Sequence, residues 1–413
     1  MIKKLRRIFL NIIYQKQPSF IISYKYFIPS PNTYIRTHRA IFFRNFRRPD
    51  IILSNILATF KWVSYQAWIS SYKISKNISE EKLLETGHRN KFTLYIKLIK
   101  LSLANFITPN YYLKYKLYKN DPLSFFYYKE IVELHLYSDR KNKDFRKYNK
   151  LIANKYQFLN FLNQHNIQAN YSCKKSFKEI VANTDILFQK QKIFCKPNIA
   201  NQSSGALCIY FDLVLNDYKL LTLVDKKGII GKDNITSFIK FYYLNSDEIL
   251  IEKFIEDDEE IKAISNHPTD ATTMRIITAS LYPNNHKPKP IYIQLEIPLL
   301  ENNGEHQFYN ILPLDLINLD INLKHMPDFK DKKSFENMKL SQNLKDKIRR
   351  ACNMSIEAHS KLNIRAIAFD IIISTDVPII IEANYNWDVE LLYRIFQPNE
   401  SNSLPIKTWL QNL

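Results

Sequence analysis

Two stretches near the C-terminus, Ala366–Ser374 (AIAFDIIIS) and Pro378–Asn384 (PIIIEAN), are almost wholly apolar, yet each holds one carboxylate, Asp370 and Glu382. Runs of this length and composition predict two buried strands. A carboxylate inside such a strand is costly unless something neutralises it. The intervening Thr375-Asp376-Val377 predicts a turn centred on Asp376, with Asp370 six residues before that centre and Glu382 six after. In a hairpin of that register the two carboxylates stand opposite each other on one face. Asn384 lies two residues beyond Glu382 and shares that face. Two carboxylates and an amide oxygen form a hard oxygen site suited to magnesium, with phosphate oxygens completing the shell. The alternative is a structural pair, each acid held by an arginine or placed at an exposed end. Nothing close in sequence neutralises either acid, so without metal the two are expected to repel each other.

Three more lone charges sit in apolar runs. Lys196 ends the short strand Ile193-Phe194-Cys195-Lys196 and precedes Pro197 and the small-residue loop Asn198–Gly205, a position suited to holding phosphates. Glu252 lies inside Ile249-Leu250-Ile251-Glu252-Lys253-Phe254-Ile255, where a purine amine, a ribose hydroxyl or a structural salt bridge would partner it. Arg275 is the one charge in Thr272–Thr278, and a guanidinium there can stabilise developing phosphate charge.

A chain of 413 residues predicts two or three domains. Charge divides it unevenly. Residues 1–150 carry 29 Lys and Arg against 9 Asp and Glu, a balance of +20; residues 151–413 carry 30 against 31, a balance of −1. The basic third reads as mostly helical, the rest as alternating strands and helices. One basic and one neutral segment point to two tasks, one of them contact with something anionic. The first fourteen residues, MIKKLRRIFLNIIY, suit a basic amphipathic helix on a membrane surface or an ordinary surface helix. Tyr111–Tyr118 (YYLKYKLY) suits a helix with inward aromatics or a base-stacking groove. No run of 18 apolar residues occurs. Four cysteines without a CxxC pair fit a reducing, cytoplasmic setting.

Beyond residue 150, helices are expected at Lys155–Leu162, Ile235–Leu244 and Leu344–Leu362. Further strands are expected at Ala206–Val214, Glu248–Ile255, Thr273–Tyr282 and Pro290–Leu300.

Taken in order, these pieces resemble the ATP-grasp superfamily, most nearly its sugar-transfer-associated members. The segments that carry the likeness are Lys155–Ile167, Cys195–Gly205, Ile251–Ile255, Pro268–Thr278 and Phe369–Asn384. The resemblance implies an α+β fold: an ATP-grasp core of two α+β subdomains clamping nucleotide over 151–413, after the basic, mostly helical region 1–150. It implies that Lys155 and Lys196 contact ATP phosphates, with Ser203, Ser204 and Gly205 in the phosphate loop. Glu252, Lys253, Phe254 and Ile255 would line the adenine and ribose pocket. Arg275 would face the γ-phosphate, and Asp370, Glu382 and Asn384 would hold Mg2+. The activity implied is ATP- and magnesium-dependent joining of a carboxylate to an amine, small-molecule or glycan-linked, in surface polysaccharide or peptide modification. Separately, the basic excess of residues 1–150 predicts their peripheral contact with an anionic membrane face or a lipid-linked glycan. The pattern departs from the family at the loop Asn201–Gly205, which has a single glycine, at Thr272 in place of an asparagine, and at Gly304 in place of a glycine pair. Two rival readings remain: a nucleotide binder without turnover, and a nucleic-acid-binding protein using the basic third.

Overall fold

The computed structural model describes residues 20–45, 56–114, 116–119, 122–127, 130, 145–189, 191–199, 205–223, 227–244, 246–265, 270–280, 287–298, 309–323, 335–336, 338–385 and 387. The expectations for the first fourteen residues and for Ser203, Ser204, Pro268 and Gly304 fall outside these. The described residues form two compact units, 20–130 and 145–387.

The first unit is helical, with helices Thr33–Asn45, 56–77, Glu80–Glu85, Lys91–Asn105 and Pro109–Lys114. Helix 56–77 widens into a π-turn over Trp62–Gln66. Short polar side chains start the others: Ser79 accepts from the Lys82 amide and Asn90 from the Thr93 amide. The Tyr111–Tyr118 stretch is shorter as a helix than its composition suggests, ending at Lys114, and Lys116 turns the chain with φ of 49°. Tyr112 is buried there, and the Tyr111 ring packs against Phe125 and Tyr127. A buried carboxylate, Glu130, ties the unit together by accepting from the Ile21 and Tyr127 amides and pairing with His38.

The second unit is α+β and holds two antiparallel sheets. The smaller runs β1-β6-β2-β3-β4-β5, with β1 Ser172–Ser176, β2 Ile193–Pro197, β3 Leu207–Asp212, β4 Asp217–Thr222, β5 Gly228–Ile230 and β6 Glu248–Lys253. The larger runs β11-β10-β7-β8-β9, with β7 Thr273–Ala279, β8 Lys289–Pro298, β9 Tyr309–Leu314, β10 Ala366–Ile373 and β11 Pro378–Asn384. Alternation assigns the faces. In the small sheet Ile193, Cys195, Ile249 and Ile251 join the core with Ile235 and Ile239 of helix Lys232–Tyr242. Phe194, Lys196, Leu250 and Glu252 therefore face the other way. In the large sheet the long helix Gln342–Ser360 covers one face, burying Leu344, Ile348, Ala351, Ser355 and Ala358 at helical spacing.

Two connections fix one sheet relative to the other. Segment 168–170 pairs with the free edge of β11 (Asn170 N–H to Ile380 O, 3.0 Å) before leading into β1. Beyond β6, Asp257 bridges to Ser374, and the buried Asp258 holds Lys347 at 2.6 Å. Gly205 needs its glycine. Its φ is +80°, and a Cβ there would lie 2.8 Å from Pro197 Cγ.

On the helix-covered face His359 is buried between Thr278 (2.7 Å) and the Ile364 carbonyl (2.6 Å). Nε2 donates to the carbonyl and Nδ1 accepts from the hydroxyl, so the ring sits there neutral. Burial lowers its pKa from 6.5 to about 4. Between those values the unfolded chain binds the extra proton, so stability is full above pH 6.5 and falls as pH drops toward 4, by about 3 kcal/mol in all. His359→Gln should flatten that stretch of the stability profile measured by urea unfolding; an unchanged slope would assign the acid sensitivity elsewhere.

Candidate functional site

The large sheet carries a single cross-strand row. Glu382 pairs with Asp370, Asp370 with Arg275, and Arg275 with Gln294. Residues directly opposite in antiparallel strands point to the same face, so this row projects from the side the long helix leaves uncovered. Arg275 donates to both oxygens of Asp370 (Nε to Oδ1 2.8 Å, the second guanidinium nitrogen to Oδ2 3.0 Å). Its third nitrogen meets Glu296 Oε1 at 2.9 Å. Asn384 donates to Asp370 Oδ2 at 3.2 Å and to Glu382 Oε1 at 3.1 Å. Lys155, at the N-terminus of helix Lys155–Gln164, reaches Glu382 Oε2 at 2.9 Å.

The expected opposition of Asp370 and Glu382 is present, but a regular hairpin does not produce it. Next to the turn the strands pair as Ile373 with Pro378, Ile372 with Ile379 and Ile371 with Ile380, and then Asp370 with Glu382. Ile381 is an extra residue, a β-bulge. Burial along β11 shows the same slip, since two half-buried positions, Ile381 and Glu382, interrupt the alternation.

The small sheet contributes a second cluster. Lys196 lies opposite Leu250 across β2 and β6, two positions from Glu252 on the same face. Lys196 Nζ meets Glu252 Oε2 at 3.0 Å, and Asn170 donates to the same oxygen at 3.2 Å. Glu252 Oε1 is buried without a hydrogen-bond partner. Lys253 is exposed, whereas Phe254 and Ile255 are half-buried. Asn198 joins the two lysine-bearing segments. It accepts from the Tyr156 amide at 3.0 Å, and its own amide donates to Glu248 at 2.7 Å.

Electrostatics link the clusters. Burial alone would raise the pKa of Glu382, but the charges of Lys155 and Lys196 and hydrogen bonds from Lys155 and Asn384 bring it down to about 2. Asp370 is driven upward by burial and by neighbouring Glu382, against the pull of Arg275. Glu296 is driven upward by burial, with Arg275 opposing. The expectation that the two hairpin acids stand un-neutralised is corrected by these contacts. Arg275 and Lys155, 95 and 227 residues away in the chain, neutralise them through the fold.

The structure thus brings together Lys155, Arg275, Asp370, Glu382 and Asn384, with Lys196 and Glu252 on the facing cluster. Sequence reasoning missed Glu296, Asn170 and Asn198. Glu296 gave the same signal as Asp370, a lone acid in the apolar run Ile291–Ile297. Among the described residues no group of three His, Cys, Asp or Glu has metal-binding geometry.

No family model matches the chain, and no curated protein matches it. Solved structures that it is similar to include the D-alanine–D-alanine ligase of Bacillus anthracis (TM-score 0.38, 13% identity, 64% of this chain and 68% of that one). Others are the VanG D-Ala:D-Ser ligase of Enterococcus faecalis (0.39, 10%, 64% and 62%) and an L-amino acid ligase of Bacillus licheniformis (0.37, 10%, 64% and 49%). Likeness this distant does not reach to chemistry, which rests on the side chains themselves.

Proposed function

We propose that the second unit is an ATP- and magnesium-dependent ligase of the ATP-grasp type, activating a carboxylate as an acyl phosphate for attack by an amine. The observation that carries this is the row Glu382–Asp370–Arg275 with Lys155 and Lys196 beside it. Oxygen donors and cations alternate along the face the long helix leaves uncovered, as a polyphosphate and its counter-ion require. The donor set fits magnesium: Glu382 and Asp370 supply carboxylate oxygens, and Asn384 supplies an amide oxygen when its side chain is turned over. Magnesium bound there would neutralise charge on the transferring phosphoryl group. The buried, unpartnered oxygen of Glu252 fits a nucleotide, since it is an acceptor in want of a donor such as a purine amine or ribose hydroxyl.

In this reading the lysines exchange partners. Lys155 is held on Glu382 and Lys196 on Glu252. A bound nucleotide would draw both lysines to its phosphate oxygens and free Glu382 to act as a ligand. Arg275, fixed by Asp370 and Glu296, would offer its remaining N–H groups to the γ-phosphate. The substrate carboxylate oxygen bonds to the γ-phosphorus and ADP leaves. The amine nitrogen then bonds to the acyl carbon, loses a proton, and phosphate leaves. We place the acceptor in surface-glycan or peptide modification and the reaction in the cytoplasm, where ATP is supplied.

Magnesium-ATP at saturating concentration should raise the melting temperature, because binding to the native state alone stabilises by about 3 kcal/mol at a hundred times Kd. Lys196→Ala should lower the starting melting temperature, by leaving Glu252 with Asn170 but no cation, and also shrink the nucleotide shift. A screen of amino acids and amino sugars for ATP-dependent phosphate release then identifies the amine. No shift in the parent protein at millimolar nucleotide would overturn the proposal.

A further inference from the structure

In the first unit, helix 56–77 is packed inside out. Its buried positions are mostly small, Ala58, Ala67, Ser71 and Ser75, with Trp62 the exception. Small buried residues let it lie close along helix Lys91–Asn105, and Trp62 Nε1 donates to the Ser102 carbonyl at 3.0 Å. Its large apolar side chains point outward instead. Phe60 is 71% exposed, Tyr72 54%, Ile69 48% and Trp68 43%. Helix Lys91–Asn105 extends the same surface with Phe92, 69% exposed, and Ile96. Between the helices a groove of about 520 Å³ is bounded by Trp68, Ile69, Tyr72, Lys76 and Tyr95. An apolar face of this extent is rare on a surface in contact with water alone.

Charge says what covers it. The two helices carry Lys61, Lys73, Lys76, Lys91, Lys97 and Lys100 and not one carboxylate; the first acids, Glu80 and Glu81, begin the connecting helix. Aromatic and aliphatic side chains with lysines around them match the boundary between lipid headgroups and acyl chains, where rings sit at headgroup depth and lysines meet lipid phosphate. Exposed Ile56, Leu57, Val63 and Ile69 give the face an aliphatic content that base stacking does not use. Among the described residues no helix is long and apolar enough to cross a membrane, so the contact is one that lies on the surface.

We propose that the outward face of helices 56–77 and Lys91–Asn105 seats this protein on an anionic lipid bilayer. The two helices lie flat, with Phe60, Trp68, Tyr72 and Phe92 in the headgroup layer. The inference is independent of the ligase reading, and its test contains no nucleotide. The full chain is sedimented with vesicles of equal parts phosphatidylglycerol and phosphatidylcholine, or of phosphatidylcholine alone. The parent should pellet with the anionic vesicles at low salt and be released at high salt. Trp68→Ser/Tyr72→Ser should retain its melting temperature, because both side chains lie outside the core, and lose binding at least about tenfold. Lys73→Gln/Lys76→Gln should weaken binding about thirtyfold, at roughly 1 kcal/mol per lysine. Absence of pelleting at low salt would overturn the proposal, as would variants that pellet like the parent. Two further results would reassign the face: release of the parent from vesicles by single-stranded RNA, or self-association in sedimentation velocity that the variants abolish.

Discussion

Glu382→Gln should cost at least about a thousandfold in ATP-dependent turnover while leaving the protein folded. Glutamine keeps the shape and removes the charge that holds Lys155, that Lys196 acts on through space, and that on our proposal would ligate magnesium. The effect on stability should be small, because the Glu382 side chain is 25% exposed and that of Lys155 14%. A pair that open to solvent contributes about 1 kcal/mol. Relief of repulsion between Asp370 and Glu382, the reason to expect a gain, is offset by the loss of a partner for Lys155. The pH dependence has a definite sign. A carboxylate held near 2 contributes stability present above the usual carboxylate pKa and lost as pH falls through 2. The variant should lack that acid branch. Melting curves with and without magnesium-ATP decide the matter. A variant that still shows the full nucleotide shift would make Glu382 a structural acid.

Arg275→Met should be the most damaging single change to the fold. It strands Asp370 and Glu296 as buried carboxylates with no cation, for which a loss of about 3–5 kcal/mol is typical. Since 24% of the Arg275 side chain reaches solvent, the lower end of that range applies. Arg275→Met/Asp370→Asn/Glu296→Gln should regain most of the stability and none of the activity. The deficit of the single variant should also shrink as pH falls toward the carboxylate range, where the stranded acids take up protons. Urea unfolding of the three proteins across pH measures both effects. An Arg275→Met protein as stable as the parent at neutral pH would mean that the acids are already protonated there.

Strands β2, β3, β6, β7, β8, β10 and β11 and the long helix were legible in the sequence because their patterns are strong. Pro378–Asn384 begins and ends where expected, and Gln342–Ser360 was displaced by only two residues at each end. β1, β4, β5 and β9 were not legible. β1, Ser-Cys-Lys-Lys-Ser, has no apolar alternation and exists because the β6 edge offers five residues of pairing. Within the candidate site, lone charges in apolar strands pointed to Arg275, Asp370, Glu252 and Glu382, which the fold sets in two neighbouring clusters. Their partners could not be read, because sequence gives no cross-strand row: nothing in the chain order says that Lys155 meets Glu382. Asn170 and Asn198 lie in connections, where an amide carries no periodic signal.

The extra residue at Ile381 gives the hairpin a parity. Eleven residues separate Asp370 from Glu382, and the turn accounts for an even pairing up to Ile371 and Ile380. Removing Ile381 would let the ladder continue undisturbed, with Glu382 still opposite Asp370 and every apolar contact near the turn intact. Keeping Ile381 but pairing it in register would instead set it opposite Asp370 and carry Glu382 beside Phe369, onto the helix-covered face. The bulge, and not the turn, therefore decides which face the acid takes.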